Sequence, residues 1–409
     1  MPNDPRSLDF AAGHFSCAAF AFSGSRYARG TSPVPSTDWT VLSMPPPRYL
    51  QQISLKGYKS IDSLESLPLN AGLNVLIGAN GSGKSNFIRF FDLLRNIADA
   101  TKGLQNYVAQ HGGADAFLFR GMKITPEFQA KLAFGSNRYE FTLKAADDRS
   151  LFFASEQAPF QGNYGPTWND LGGGHRESLI LRDTSPARTN SIKWARETIA
   201  SWRSYHFHDT SANAPMMGRC NVYDQATLHG DASNIAAVLK SMETNAPERL
   251  DRIVEAIRLI APFFGGFVLK EIATDQTRLF WKDRYCDLLY DPTQFSDGTA
   301  RFVCLTTLLL GDPQAATIVI DEPELGLHPY AIKLLASMLK EAADSVQIIL
   351  STQSTLLLDE MDPENVIVVD QIEGKSLLRR LDGDGLAAWL EEYTLGQLWE
   401  KNDLGGVPR

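Results

Sequence analysis

The sequence predicts an α/β fold: a mostly parallel sheet with helical cover, to which an antiparallel β portion and an inserted helical subdomain are added. Three observations lead there. An apolar strand, Asn74 to Ile77, runs into a glycine-rich loop and then into a helical pattern, the strand–loop–helix setting of a phosphate-binding loop. In the last third, helical patterns alternate with short apolar strands, the order that builds a parallel sheet. Between these regions, stretches such as Tyr139-Glu140-Phe141-Thr142-Leu143 alternate as antiparallel strands do. The later part of that middle region turns helical.

Each element has its own signal. Residues 1–45 are rich in Gly, Ser, Pro and Ala and show no period, which predicts a flexible tail. Met44 precedes Pro45-Pro46-Pro47, so translation from Met1 and from Met44 are both open. Order begins near Tyr49, where Leu50, Ile53 and Leu55 precede Lys56-Gly57-Tyr58-Lys59-Ser60-Ile61. Phe87, Phe90, Phe91, Leu94 and Ile97 mark a helix over 86–97, and Leu250, Ile253, Val254, Ile257 and Ile260 mark an amphipathic one. Further on, the pattern predicts helix Thr299–Leu310, strand Ala316–Ile320, helix Ala331–Ala342, and strands Val346–Leu350 and Val366–Val369. A final helix carries Leu386, Trp389, Leu390 and Tyr393. Sustained heptads and internal repeats are missing, which argues against a long coiled-coil arm. The predicted division is a tail over 1–45, a head over 46–100 and 290–409, and an insertion over 101–289 whose β portion precedes its helical one.

Composition narrows the class. The 409 residues are 44% hydrophobic and 21% charged, ordinary for a soluble globular protein. A net charge of −9 excludes a surface that attracts nucleic acid everywhere and leaves a local basic patch open. Cys17, Cys220, Cys286 and Cys304 are scattered, with no zinc spacing, and read as free thiols in a reducing cytoplasm. No apolar run spans a bilayer. Phe15 to Phe22 lacks the basic flank and cleavage site of a signal peptide.

Three motifs carry chemistry. Gly78-Ala79-Asn80-Gly81-Ser82-Gly83-Lys84-Ser85 fits GxxxxGK[ST]. Its glycines let backbone N–H groups close around phosphate oxygens, and the helix N-terminus at Asn86 adds a favourable dipole. Lys84 is expected to reach the β- and γ-phosphates, and Ser85 to bind Mg²⁺. In Thr317-Ile318-Val319-Ile320-Asp321-Glu322-Pro323-Glu324 an apolar strand ends in acids. A buried strand explains the apolar run but not the carboxylates at its C-terminal end, where parallel-sheet sites lie. Asp321 is expected to hold Mg²⁺ through a water, and Glu322 to polarise an attacking water as general base. Gln294-Phe295-Ser296-Asp297-Gly298-Thr299 precedes a helix. Alone it is an ordinary N-cap turn; its position shortly before Asp321 turns it into a candidate signature.

Phosphate loop, long insertion, Ser-Asp-Gly signature, then Asp-Glu is the motif order of ABC-type ATPases. The chain more closely resembles the SMC/RecF-like, OLD-related branch of bacterial AAA/ABC-type ATPases, without a TOPRIM domain. Phe295-Ser296-Asp297-Gly298-Thr299-Ala300-Arg301-Phe302 and Asp321-Glu322-Pro323-Glu324-Leu325-Gly326-Leu327-His328-Pro329 carry that resemblance, as does Ser204-Tyr205-His206-Phe207-His208-Asp209. It implies a P-loop NTPase head of the ABC/SMC type that binds and hydrolyses ATP with Mg²⁺. Two heads would meet head to tail as a homodimer that ATP closes and hydrolysis opens. Ser296, Asp297 and Gly298 of one chain would complete the nucleotide site held by Gly78, Asn80, Gly81, Ser82, Gly83, Lys84, Ser85 and Asn86 of the other. Glu324 and His328 would match the interface-crossing D-loop, and Lys59 and Ser60 a nucleotide contact. Gln353 stands where these ATPases place a switch histidine. An amide hydrogen-bonds phosphate or water but shuttles no proton, so slow turnover is expected. Neither Gln105 nor Gln110 has the context of a Q-loop residue.

Weaker signals remain. His206-x-His208-Asp209 has metal-ligand types, but a structural strand with hydrogen-bonded histidines on one face is favoured. Arg249, Arg252 and Arg258 suit a DNA-facing surface or, more commonly, the solvated side of a helix; Arg379-Arg380 is equally weak. The functions compatible with the sequence are a DNA-repair or genome-maintenance ATPase, a regulatory ATPase of an antiphage or toxin-like system that controls a partner effector protein, and a nucleotide-gated scaffold with little hydrolysis. A nuclease of its own is disfavoured because the tail after Gln353 lacks room for a TOPRIM domain. The length of the insertion disfavours a transporter, and the missing Asn-Lys-x-Asp motif a GTPase.

Overall fold

Strands with apolar centres that are buried at almost every position must be covered on both faces, and three such strands form the centre of this fold. The computed structural model describes residues 49–162, 165–182, 189–311 and 314–406. The expected tail, Met44 and Cys17 lie outside them. In chain order, β1 (Gln52–Tyr58) and β2 (Ile61–Pro68) make a hairpin, and β3 (Leu73–Ile77) leads through the glycine-rich loop into α1 (Lys84–Ile97). Then come α2 (Leu104–Gln110), β4 (Glu127–Phe134), β5 (Asn137–Ala145), β6 (Leu151–Gln157), β7 (Phe160–Gly162), β8 (Gly165–Thr167) and β9 (Asp170–Gly172). They are followed by α3 (Thr189–Ser201), β10 (Arg203–Tyr205), β11 (Arg219–Asn221), α4 (Ile235–Asn245) and α5 (Pro247–Ile260). Short strands β12 (Phe264–Val268), β13 (Glu271–Ala273), β14 (Gln276–Arg278), β15 (Phe280–Asp283) and β16 (Leu289–Tyr290) complete the middle. The last third holds α6 (Asp297–Leu310), β17 (Thr317–Asp321), α7 (Pro329–Ala343), β18 (Gln347–Thr352), α8 (Thr355–Leu358), β19 (Val366–Ile372), β20 (Lys375–Arg380), α9 (Gly383–Leu390) and α10 (Leu395–Glu400).

The central sheet has the order β10-β17-β18-β3-β19-β20. All neighbours are parallel except the β19–β20 edge hairpin. Side-chain alternation splits the core in two. Val75, Ile77, Ile318, Ile320, Ile348 and Leu350 face one cluster, which includes α6 and α7. Leu76, Val319, Ile349, Ile367 and Val369 face the other, which includes α1 and the antiparallel sheet. Phe87, Phe90 and Phe91 of α1 are fully buried there, each stabilising the fold by roughly 1.5–3 kcal/mol. Buried Gln347 joins the layers, since its amide spans Leu50 N and O, Asn70 O and Thr317 Oγ1.

The antiparallel sheet, in the order β2-β1-β4-β5-β6-β9, starts before residue 101, because β1 pairs both with β2 and with β4. Conversely, β10 lies within 101–289 yet pairs with β17 of the head sheet. The expected last helix is two. α9 ends at Leu390, and Thr394 starts α10 with a capping box to Gln397, which satisfies free N–H groups at the new helix start. Tyr393 sits between them. The candidate basic surface is tied down: Arg252 pairs with Glu341 at 2.6 Å, Arg258 with Glu255 at 2.6 Å, and Arg380 bonds Asn74 and Pro68 O. Among the described residues, no helix is long and apolar enough to cross a membrane.

Candidate active site

The phosphate loop is shaped by glycine and clamped by distant serines. Gly83 caps α1 at φ 106, with no side-chain cap and no acid in the first turn. The first N–H groups of α1 are thus open to an anion. A Cβ on Gly83 would collide with Ser376 Oγ and come within 2.7 Å of Ser60 Oγ. These two serines hold the loop. Ser376 Oγ donates to Ser82 O at 2.5 Å, and Asn86 Nδ2 donates to Ser60 Oγ at 2.8 Å. Gln371 Nε2 reaches Gly81 O at 3.1 Å. Neither Ser376 nor Gln371 belongs to a motif, so local sequence offers no signal for them. Lys59 is placed differently: its ammonium sits 5.0 Å from the Phe117 ring centroid, a cation–π contact, while its neighbour Ser60 meets the loop.

Lys84 is buried, with Nζ donating to Gly78 O at 2.6 Å and Ala79 O at 3.0 Å. Burial pushes its pKa down, and the carboxylates of Glu322, Asp321 and Glu324 push it back up. Register sets their shared location. Asp321 lies across from Ser351, and Thr352 across from Ile77, so β17, β18 and β3 end together. Ser85 Oγ stands 3.5 Å from Asp321 Oδ1, and Ser351 Oγ also donates to Asp321. Hydroxyl and carboxylate oxygens converging beside a phosphate loop fit Mg²⁺, a hard cation that keeps several waters. The buried Ser82 Oγ has no hydrogen-bond partner, as suits a loop shaped for an external anion.

Glu322 adopts φ 44, a left-handed conformation costing a non-glycine residue of order 1–3 kcal/mol. The strain aims its carboxylate back over the strand ends. Its N–H donates to Ser351 O at 3.1 Å, and Gln353 Nε2 donates to its Oε1. Glu324 is also turned inward: Thr352 Oγ1 and Gln353 N donate to its Oε1 at 2.6 and 3.0 Å, while Oε2 is buried without a partner. Burial raises the Glu324 pKa against the pull of those hydrogen bonds. Gln353 is therefore held at both ends. For the hydrolysis proposed below, Gln353→Ala is expected to lower kcat roughly tenfold with little change in KM, because it frees the Glu322 carboxylate without touching the loop. Steady-state kinetics check this, and an unchanged kcat removes Gln353 from the chemistry.

The signature sits on other elements. Ser296 caps α6 by accepting from Thr299 N at 3.2 Å, Asp297 accepts from Thr210 Oγ1 at 3.0 Å, and a Cβ on Gly298 would lie 2.6 Å from Gly326 O. Among the described residues, no hydrogen bond joins residues 296–298 to residues 78–86. Buried Arg301 donates to Phe207 O at 2.9 Å, to His208 O at 3.0 Å and to Leu325 O. It ties the signature helix to the turn after Glu322. Arg301→Met is expected to destabilise the fold by about 3 kcal/mol, because it leaves the Phe207 carbonyl unpaired in the interior and removes two partly buried bonds, to His208 O and Leu325 O; chemical denaturation measures it.

The remaining candidates fall elsewhere. Gln105 Nε2 is spent on Leu151 O and Arg176 O, and exposed Gln110 ends α2. His328 caps α7. β10 stops at Tyr205, so His206 and His208 lie just beyond the strand, their rings stacked at 6.4 Å. The described residues contain no cluster of three or more His, Cys, Asp or Glu able to hold a metal.

Comparison with known proteins places the chain in a family and a fold. Residues 73–359 match the family described as "AAA domain, putative AbiEii toxin, Type IV TA system". The chain is 23% identical over 330 residues to the OLD nuclease of Thermus scotoductus (strain ATCC 700910 / SA-01). That alignment covers 76% of this chain and 60% of the relative, so the chain spans under two thirds of the relative's length. Among solved structures, an SMC head bound to the C-winged helix domain of ScpA superposes with TM-score 0.56 at 16% identity, covering 83% of this chain and 99% of that one. A Pyrococcus furiosus Smc head with an extended coiled coil, bound to the C-terminal domain of ScpA, gives 0.49 at 15% identity, covering 84% and 99%.

Proposed function

Because the chain belongs to this AAA-domain family and has the P-loop fold of an SMC head, we propose that it binds ATP with Mg²⁺ and hydrolyses it at sites completed by two copies of the chain. The observation that carries this reading is the convergence of Lys84, Ser85, Asp321 and Glu322, with Ser85 Oγ 3.5 Å from Asp321 Oδ1. Gly78, Asn80, Gly81, Ser82, Gly83 and Asn86 supply the phosphate cradle, and Ser85 and Asp321 hold the metal. Glu322 activates water while Gln353 positions the Glu322 carboxylate. Ser296, Asp297 and Gly298 reach the γ-phosphate of the partner copy, and Lys59 contacts the nucleotide. Bound Mg²⁺ neutralises charge on the transferring phosphoryl group. ATP stabilises the closed pair because it binds that state better.

The output we infer is DNA repair or genome maintenance, as for RecF- and SMC-like proteins, in the cytoplasm. A second reading is a regulatory ATPase that controls a partner effector in a toxin-like system; the description of its family favours this one. ATP hydrolysis measured with and without duplex DNA separates them. Stimulation by DNA supports the first. DNA-indifferent hydrolysis supports the second, and a wild type without hydrolysis reduces the protein to a nucleotide-gated scaffold.

A further inference from the structure

We propose that His208 is a catalytic residue of this site, donating a hydrogen bond to a γ-phosphate oxygen of ATP from the side of β17 opposite Gln353, with His206 as its positioning residue. The assignment rests on the ATPase reading above and adds to it a group that the motifs do not supply.

Strand order places the pair. β17 lies between β18, which leads to Gln353, and β10, which leads to the histidines. Tyr205 pairs with Ile320 in parallel register, so His206 follows level with Asp321. β10 ends at Tyr205, and the buried-exposed pattern of residues 205–208 sets the face beyond it. Tyr205 and Phe207 pack into the same core as Ile318 and Ile320. His206 and His208 therefore point the other way, toward α1 and the face of Val319. A contact agrees: His206 Nε2 lies 3.5 Å from Asp92 Oδ2 on α1. The two rings stack at 6.4 Å and 28°. Both residues are exposed, whereas histidines serving only the core would be covered.

The segment is also held firmly. Arg301 grips the carbonyls of Phe207 and His208, and Thr210 bonds Asp297. The groups that act electrostatically on His208 are Asp321, His206, Arg301 and Glu322. Partial desolvation by the surrounding chain lowers its pKa even though the ring keeps an open edge, which favours the neutral ring with one N–H donor and one acceptor nitrogen. Gln353 already gives its amide to Glu322, so a second donor is needed where charge develops on the γ-phosphate.

The test compares wild type with His208→Ala, His208→Gln and His206→Ala, measuring kcat, KM, affinity for a non-hydrolysable ATP analogue and melting temperature. His208→Ala is expected to lower kcat roughly tenfold to a hundredfold with analogue affinity nearly unchanged, because the contact strengthens in the transition state. His208→Gln keeps an N–H donor and recovers part of the loss. His206→Ala lowers kcat less, again without changing KM. Wild-type turnover matched by His208→Ala overturns this assignment alone. So does a loss of kcat that merely follows a fallen melting temperature in both His208 variants. A wild type without hydrolysis overturns the ATPase reading, and this assignment with it.

Discussion

Glu322→Gln is expected to reduce ATP turnover by roughly 100-fold or more, the usual contribution of a positioned general base. The glutamine is nearly isosteric, so the loop that holds the nucleotide keeps its shape: Lys84 still bonds Gly78 O and Ala79 O, and Ser85 still faces Asp321. What disappears is the negative charge: the amide oxygen that remains can still accept from Gln353 Nε2, but it cannot take a proton from water. ATP binding should survive, and the closed pair of chains should accumulate because its exit by hydrolysis is blocked. Phosphate release and solution mass in ATP measure the two halves. A variant that turns over at the wild-type rate removes Glu322 from the chemistry.

Gly83→Ala should be nearly as severe, but at the binding step. At φ 106 an alanine is strained, and its Cβ would strike Ser376 Oγ, the hydroxyl that supports Ser82 O. Relieving the clash moves either the loop or the edge hairpin. Both outcomes misplace the N–H groups at the start of α1 that receive the phosphates. Nucleotide affinity is expected to fall at least tenfold, and the fold to lose about 1–3 kcal/mol from the strained backbone. Titration with a fluorescent ATP analogue, together with thermal unfolding, checks both; wild-type affinity in this variant would show that the Gly83 conformation is dispensable.

These two residues also show what sequence reveals and what it hides. The loop and the Asp321-Glu322 pair were legible because each obeys a local rule: a fixed glycine spacing between strand and helix, and carboxylates at the end of a strand buried on both faces. The apolar strands at 73–77, 317–321 and 347–352 were placed to within a residue or two for the same reason, while the strand from Val366 runs three residues past its expected end. Ser376 and Gln371 were not legible, since they reach the loop from almost 300 positions away along the chain and nothing in their neighbourhood marks them. The extent of the antiparallel sheet was hidden likewise, because the pairing of β1 with β4 is a matter of long-range register. Glu324 was read as an interface residue from its motif; that its side chain also braces Thr352 and Gln353 of its own chain had no local signal. The break at Thr394 did leave a readable trace, the Thr394-x-x-Gln397 capping pattern. His206 and His208 were read as strand residues sharing a face; the strand ends before them, their rings still stack, and only the register of β10 beside β17 brings them level with the end of β17.

The claim that two copies build each site is tested most directly by mixing two inactive variants. Lys84→Ala removes the lysine from the phosphate loop and leaves the signature intact. Ser296→Arg blocks the signature at the start of α6 and leaves the loop intact. Each alone should lack ATPase activity, because every site in either pure pair then carries a defect. Mixed, the two should regain activity, since one site per mixed pair joins an intact loop to an intact signature. A mixture as inactive as its components would contradict a site shared between chains.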